Sequence, residues 1–410
     1  MVLNYVWIAF FVIAFVVACI KVIVLGDVGL FSQVTSGMFD SAKTSVEIAI
    51  GLIGMMTMWL GIMRVGEKAG MIERFARAVS PFFSILFPGI PKKDPAMGSV
   101  MLNFSANMLG LDNAATPLGL KAMKELQEVN PDKETASDAQ IMFLVLNTAG
   151  ITLIPTSVMA MRLAQGAANP ADIFIPTLIG TLISFISGMI AVSLYQRIKL
   201  FRGPVLVFML LCMAIVSLLF WWVSVLPADK VGPYVGGVGG FIILAIIVWF
   251  LMAGVKRGIN VYETFIDGAK EGFQVSVMII PYLVAFLIGI SALRTTGCMD
   301  YLTQGIGYVV GALGFNTDFV PALPVGIMKT FSGGGARAAM VDVMQAYGAD
   351  SFQGRMACIM QGSTETTFYV LAVYFGSVNI KKTRYAVTCG LIADVVGVIG
   401  AIIVGYIFFH

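Results

Sequence analysis

Gln361-Gly362-Ser363-Thr364-Glu365-Thr366-Thr367-Phe368-Tyr369 is a polar run with one acid, set inside an apolar segment that extends from Met356 to Phe375. A carboxylate at bilayer depth costs about 2.5 to 3.5 kcal/mol on insertion scales, so an intramembrane acid normally faces a protein interior or a wet cavity. The hydroxyl and amide groups around Glu365 offer hydrogen-bonding partners where lipid offers none. The stretch reads as half of a binding site at the membrane midplane, presented by a larger helical assembly.

The composition agrees with that setting. The 410 residues are 58% hydrophobic and only 12% charged, with a mean hydropathy of +0.90. Such a chain is too apolar for a soluble domain and reads as an all-α polytopic membrane protein. Cys19, Cys212, Cys298, Cys358 and Cys389 lie in or beside apolar segments without CxxC spacing, so neither a disulfide framework nor a metal site is expected. The first apolar run continues to Leu25 without a basic leader, which reads as a retained helix rather than a signal peptide.

Apolar runs long enough to span fall near residues 3–25, 46–63, 139–161, 172–196, 204–226, 238–255, 273–293, 353–377 and 384–408. Gly66 to Leu86 carries Glu67, Lys68, Glu73, Arg74 and Arg77 on one side of a helical pattern and reads as an interfacial amphipathic helix. Gly297 to Gly311 is a weaker case of the same kind. Pro95 to Met123 and Pro321 to Met344 are apolar but interrupted by Gly, Asn, Ser and charge, which suits re-entrant hairpins better than full spans.

The chain also resembles itself. An offset of 227 places Asp40, Ala42 and Lys43 on Asp267, Ala269 and Lys270, Gly70 on Gly297, and Phe104-Ser105 on Phe331-Ser332. After a shorter connection in the second half, an offset of 214 places Asn147 on Gln361 and Thr152 on Thr366. The order and constant spacing of these pairs indicate a duplication. Residues 1–200 form one expected repeat, 201–237 a linker with one transmembrane helix, and 238–410 the second repeat. With nine crossings and the N-terminus inside, about eighteen lysines and arginines fall on one side and five on the other. That imbalance places the N-terminus in the cytoplasm and the C-terminus outside. An odd linker helix then inverts the second repeat, as in alternating-access transporters.

Candidate site residues cluster at the broken elements. In the first hairpin they are Asn103, Ser105, Asn107, Asp112, Asn113 and Thr116, types that favour turns and helix ends. In the second they are Lys329, Ser332, Gly333, Gly334, Gly335 and Arg337. The three glycines permit close backbone approach at a helix start, where an anion can be received between two cations. Opposite them stand Asn147, Thr148 and Thr152 from the first half, and Gln361, Ser363, Thr364, Glu365 and Thr366 from the second. A structural reading competes with this one. Ser and Thr back-bond within membrane helices, Gly permits helix packing, and Lys329, Arg337 and Glu365 can form a purely structural ion cluster. Glu47 and Asp394 read as helix-end or packing residues, and Met55, Met56 and Met58 as core filler.

An enzyme is the rival class. The sole histidine is His410, which removes Ser-His and HExxH chemistry, and no Walker A sequence occurs. A Ser-Lys dyad of Ser332 or Ser105 with Lys329 explains neither the duplication nor Glu365. No catalysis, cofactor, metal or nucleic-acid partner is expected. The expected partners are a small-molecule solute and membrane lipid, with a coupling proton or sodium ion and homo-oligomerisation left open.

The run Gly110-Leu111-Asp112-Asn113-Ala114-Ala115-Thr116-Pro117-Leu118-Gly119-Leu120-Lys121-Ala122-Met123, with Leu146-Asn147-Thr148, resembles the spore maturation protein A family. Ser332-Gly333-Gly334-Gly335-Ala336 and the run from Gly362 to Gly376 resemble the spore maturation protein B family. Both have the nucleoside-recognition Gate domain, shared with concentrative nucleoside transporters and the membrane part of ferrous-iron transport protein B. The resemblance implies integral membrane location, a transport-like fold and, in spore formers, a role in spore core dehydration. Two departures stand out. The halves, usually separate, are joined here, and Glu365 occupies a position often held by Asp. Together these readings imply a secondary transporter of the bacterial inner membrane that moves a small polar solute, zwitterionic or anionic. Glu365 would serve proton coupling or a substrate ammonium, and Lys329, Arg337 and the Gly333 to Gly335 backbone an anionic group. The alternatives are a nucleoside transporter and a non-transporting scaffold in envelope or spore maturation.

Overall fold

The computed structural model describes residues 2–91, 94–110, 112–200 and 203–410, with the side chains of 2–4, 6, 112–114, 224, 228, 229 and 232 outside the description. Its elements are α1 (Val2–Leu25), α2 (Leu30–Lys68), α3 (Met71–Leu86), α4 (Pro95–Met108), α5 (Asp112–Glu128), α6 (Asp138–Thr148), α7 (Thr156–Ala164), α8 (Phe174–Gln196) and α9 (Gly203–Val225). The second half continues with α10 (Ala228–Arg257), α11 (Val261–Thr295), α12 (Cys298–Ala312), α13 (Leu323–Phe331), α14 (Gly333–Tyr347), α15 (Phe352–Gly362), α16 (Thr367–Ser377) and α17 (Ala386–Phe409). Among the described residues there is no strand, only an isolated bridge between Thr135 and Lys382. The protein is an all-α polytopic membrane protein.

Among the described residues seven helices, α1, α2, α8, α9, α10, α11 and α17, are long and apolar enough to cross a bilayer. The two remaining spans expected from the sequence are not continuous. Residues 139–161 form α6 and α7 with an unwound segment between, and residues 353–377 form α15 and α16, unwound at Ser363 to Thr366. Gly150 and Pro155 interrupt the first, because proline removes a backbone donor. The expected spans at 46–63 and 273–293 are parts of longer helices of 39 and 35 residues. At 1.5 Å per residue α2 reaches roughly 58 Å, well beyond a hydrocarbon core of about 30 Å, so it must tilt or project.

The order of elements repeats: α1–α8 is matched one for one by α10–α17, with α9 between. Capping details repeat as well. Gly70 precedes α3 with φ 78°, and Gly297 precedes α12 with φ 77°, a left-handed conformation that glycine adopts without steric cost. Ser137 caps α6 through Gln140 N, and Ser351 caps α15 through Gly354 N. Loops that should share a membrane face are found together. Lys381 pairs with Glu134 at 2.6 Å and Arg384 with Asp138 at 2.8 Å, joining the α5–α6 and α16–α17 connections. The α7–α8 and α14–α15 connections meet in a separate group, where Ala168 N donates to Asp350 Oδ2 at 2.9 Å.

Small residues set the two main helix crossings, because membrane helices associate by close packing rather than by hydrophobic burial. On α11, a Cβ at Gly272 would lie 2.6 Å from Met56 O, so α2 and α11 touch backbone to backbone. Between α8 and α17 the spacers are Gly188, whose added Cβ would lie 3.2 Å from that of Ala393, and Gly397, which faces Ser184 and Thr364. The two broken helices pack against this second crossing.

Candidate functional site

The two unwound segments meet. Glu365 N donates to Thr148 O at 2.7 Å, so the carbonyl at the end of α6, which helix geometry leaves without an intrahelical partner, is satisfied by the break in the other half. Around this junction lies a layer of buried polar side chains. Asn147, Thr148, Gln361, Ser363, Thr364 and Thr366 are all at most 6% exposed. Thr152 lies half-buried in the first unwound segment.

Asn147 ties three elements together. Its Oδ1 accepts from Asn107 Nδ2 of α4 at 2.7 Å and lies 3.4 Å from Tyr374 Oη of α16. Its own Nδ2 donates to Phe143 O at 2.8 Å. Asn103 donates to Ala115 O at 2.8 Å and so clamps the arms of the first hairpin. The hairpin turn falls after Met108, within the run of turn formers from Asn103 to Thr116. Ser105 is fully buried within α4 and back-bonds to Met101 O at 2.7 Å. The repeat register therefore slips here, since Ser332, its counterpart, does stand at the second hairpin's turn. Thr116 is half-buried in α5, while the side chains of Asp112 and Asn113 lie outside the described residues.

Ser332 caps α14 by accepting from Gly335 N at 3.0 Å, the helix start expected from the glycine run. The three glycines differ in what they face. A Cβ at Gly334 would meet Tyr282, and one at Gly335 would meet Phe286 and Met328, whereas one at Gly333 would lie 3.0 Å from Thr366 Oγ1. Gly334 and Gly335 thus serve packing on α11, and Gly333 faces the junction. Lys329 Nζ lies 3.7 Å from Glu365 Oε2. The lysine side chain is buried and the glutamate's is 51% exposed. Arg337 stands apart: among the described residues no acid forms an ion pair with it, and its buried Nε has no hydrogen-bond partner.

A cavity of about 1010 Å³ lies between α2, α3 and α11. Arg64, Lys68 and Glu271 line it at the ends of α2 and α11, and Gly110, Pro117 and Thr156 where it reaches the first hairpin and the start of α7. Lys329 and Glu365 are not in its lining. Helix α5 stands between, with Gly119 packed against the Tyr374 ring of α16. At the α7–α8 and α14–α15 connections an ion network joins the halves. Arg162, fully buried, donates to Ala349 O at 2.7 Å and lies 2.9 Å from both Asp172 and Asp350. Arg355 Nε completes the network at 2.8 Å from Asp172 Oδ2.

Sequence reasoning missed this network, having counted Arg162 and Arg355 only as loop charges. It also set aside Asp394, which is 3% exposed and accepts from Thr367 Oγ1 at 2.7 Å. Its signal was available, as an acid well inside an apolar run of 24 residues.

Paired broken helices and paired hairpins meet at a buried polar junction in a polytopic membrane protein built from two matched sets of helices. The chain belongs to the Gate family, described as nucleoside recognition, whose model matches residues 49–165 and 276–381. It is 41% identical over 187 residues to spore maturation protein A of Bacillus subtilis (strain 168), covering 46% of this chain and 92% of that protein. It is equally 41% identical over 159 residues to spore maturation protein B of the same organism, covering 39% of this chain and 88% of the relative. Each relative is matched over most of its own length by less than half of this chain.

Proposed function

We propose that the protein is a secondary transporter that moves a small polar solute by alternating access, with two inverted repeats (1–200 and 238–410, joined by 201–237) closing in turn around the junction of the unwound segments. The observation that carries this reading is the Lys329–Glu365 pair beside that junction. Its 3.7 Å separation is too long for a charge-assisted hydrogen bond, which is formed at about 2.7 to 2.9 Å. A zwitterion entering between them would give its carboxylate to Lys329 and its ammonium to Glu365, replacing one loose pair by two tighter ones. Half exposure of Glu365 leaves it accessible to a solute. Access is supported from one side: the 1010 Å³ cavity reaches the first hairpin, while the buried Arg162 network holds the opposite connections together. On the charge count this open side is cytoplasmic, in a bacterial inner membrane.

The first hairpin is then the gate between cavity and site, since Asn107 on α4 and Gly119 on α5 both contact the far side. The family's description favours a nucleoside as the second substrate class. Nucleosides lack paired opposite charges, so the two classes separate in a binding screen. Purified protein would be tested by thermal shift against amino acids, small carboxylates and nucleosides. Ligands that bind only the folded state raise its apparent stability by mass action. Stabilisation by an amino acid that disappears in both Glu365→Gln and Lys329→Met supports the zwitterion site; stabilisation by nucleosides alone replaces it. A flat response across the panel favours a scaffold role in envelope or spore maturation.

A further inference from the structure

We infer that Asp394, rather than Glu365, is the proton-exchange site of this protein. It is the ninth residue of α17, a helix of 24 residues, and only 3% of it is exposed. One carboxylate oxygen, Oδ2, is held by Thr367 Oγ1 at 2.7 Å. The other, Oδ1, is buried and has no hydrogen-bond partner among the described residues. A buried carboxylate with half its acceptor capacity unused is costly unless something neutralises it.

The surroundings are polar but short of positive charge. One turn before Asp394, Gly390 leaves room for Thr367 and Thr148; one turn after, Gly397 leaves room for Thr364 and Ser184. Thr148 Oγ1 is itself buried without a hydrogen-bond partner among the described residues. From α13, Thr330 and Lys329 face the carboxyl, and Lys329 also pairs with Glu365. Glu365 is 51% exposed whereas Asp394 is buried, so with Lys329 drawn to both carboxylates the charge left without full compensation in the interior is that of Asp394. A proton on Asp394 removes it. The step is a simple acid–base exchange: an O–H bond forms on Asp394 from a proton delivered by water and breaks when the proton returns to water, with no redox change.

Position makes the exchange informative to the rest of the fold. Thr367, which donates to Asp394, is the first residue of α16 and follows the unwound segment that holds Glu365. An ionised carboxylate accepts that hydrogen bond more strongly than a protonated one, so the proton state of Asp394 alters the hold on the start of α16. Coupling of this change to solute movement rests on the transport reading; the protonation itself does not.

Infrared spectroscopy of the purified protein at neutral pH tests the assignment. The expected result is a protonated-carboxyl absorption that is present in wild type and Glu365→Gln, lost in Asp394→Asn, and shifted in frequency in Thr367→Val. Asparagine mimics the neutral acid, so Asp394→Asn should elute as the wild type does; if it does not fold, the shift in Thr367→Val carries the test. An absorption that survives Asp394→Asn, that is missing from wild type, or that stays unshifted in Thr367→Val would overturn the inference. So would one abolished by sodium but not by choline, which would make the site a monovalent-cation site instead. A protonated Asp394 in a protein that moves none of the solutes tried would leave this inference standing and defeat the transport reading.

Discussion

Replacing Arg162 with methionine should open the face of the protein that the structure closes. The guanidinium is fully buried, donates to Ala349 O at 2.7 Å, and lies 2.9 Å from Asp172 and from Asp350. Breaking a buried pair by removing one partner costs about 3 to 5 kcal/mol, because the other charge is left uncompensated. Here Arg355 still holds Asp172 at 2.8 Å, and Asp350 is 37% exposed, so the lower end, about 3 kcal/mol, applies. If that energy is spent on keeping the two halves closed, the open population rises on the order of 100-fold, one factor of ten for every 1.4 kcal/mol. A native reporter sits beside the network. Cys358 is fully buried on α15, and its thiol packs against the Arg162 side chain. Labelling by a membrane-impermeant maleimide, with the modified cysteine located by mass spectrometry, should be slow in wild type and on the order of 100-fold faster in Arg162→Met. A rate within about threefold of wild type in a stably folded variant would show that the network does not hold the closure, and the reasoning would fail.

Other perturbations follow from single contacts. Gly272→Val should destabilise the α2–α11 crossing by about 1 to 3 kcal/mol or more, because its Cβ would meet the Met56 carbonyl at 2.6 Å and backbone cannot give way as a side chain can; thermal unfolding in detergent reads this. Ser137→Ala should cost about 1 kcal/mol by removing the α6 cap and its capping box, and Ser351→Ala at the equivalent position of α15 should cost about the same, each seen as a fall in Tm. Asp318 is held below the usual carboxylate range by His410 and Asn316. A depressed carboxyl contributes stability above its unfolded value of about 3.9 and loses it as pH falls through the lower, folded value. Amides near the end of α17 should therefore exchange faster on acidification through that window, and Asp318→Asn should remove the pH dependence.

Much of the architecture was legible because its signals are local. The offset of 227 aligns Gly70 with Gly297, and in the structure both take a left-handed conformation at the start of matched helices. The unwinding within the two apolar runs was not legible. Residues 139–161 read as one span because hydropathy does not register that Thr148 O finds its partner in Glu365 N, more than two hundred positions away. The turn of the first hairpin falls among the turn formers between Asn103 and Thr116, as their types suggested, but the alignment of Ser105 with Ser332 does not hold structurally, because α4 continues about one turn beyond Ser105 before reversing. Asp394 stood out in the sequence as an acid inside a long apolar run, but its unpartnered oxygen and the company of Thr367 are visible only in the tertiary structure. The burial of Arg162 is equally non-local, since a residue at the end of α7 is enclosed only when α14 and α15 arrive.

The most direct test of the account is uptake into proteoliposomes. Wild type, Glu365→Gln and Lys329→Met would be reconstituted at equal density and loaded for counterflow with labelled amino acids, small carboxylates and nucleosides in parallel. The account predicts saturable exchange of at least one zwitterionic or anionic solute by the wild type and its loss in both variants. Binding of such a solute without exchange, or exchange that survives both substitutions, would contradict it.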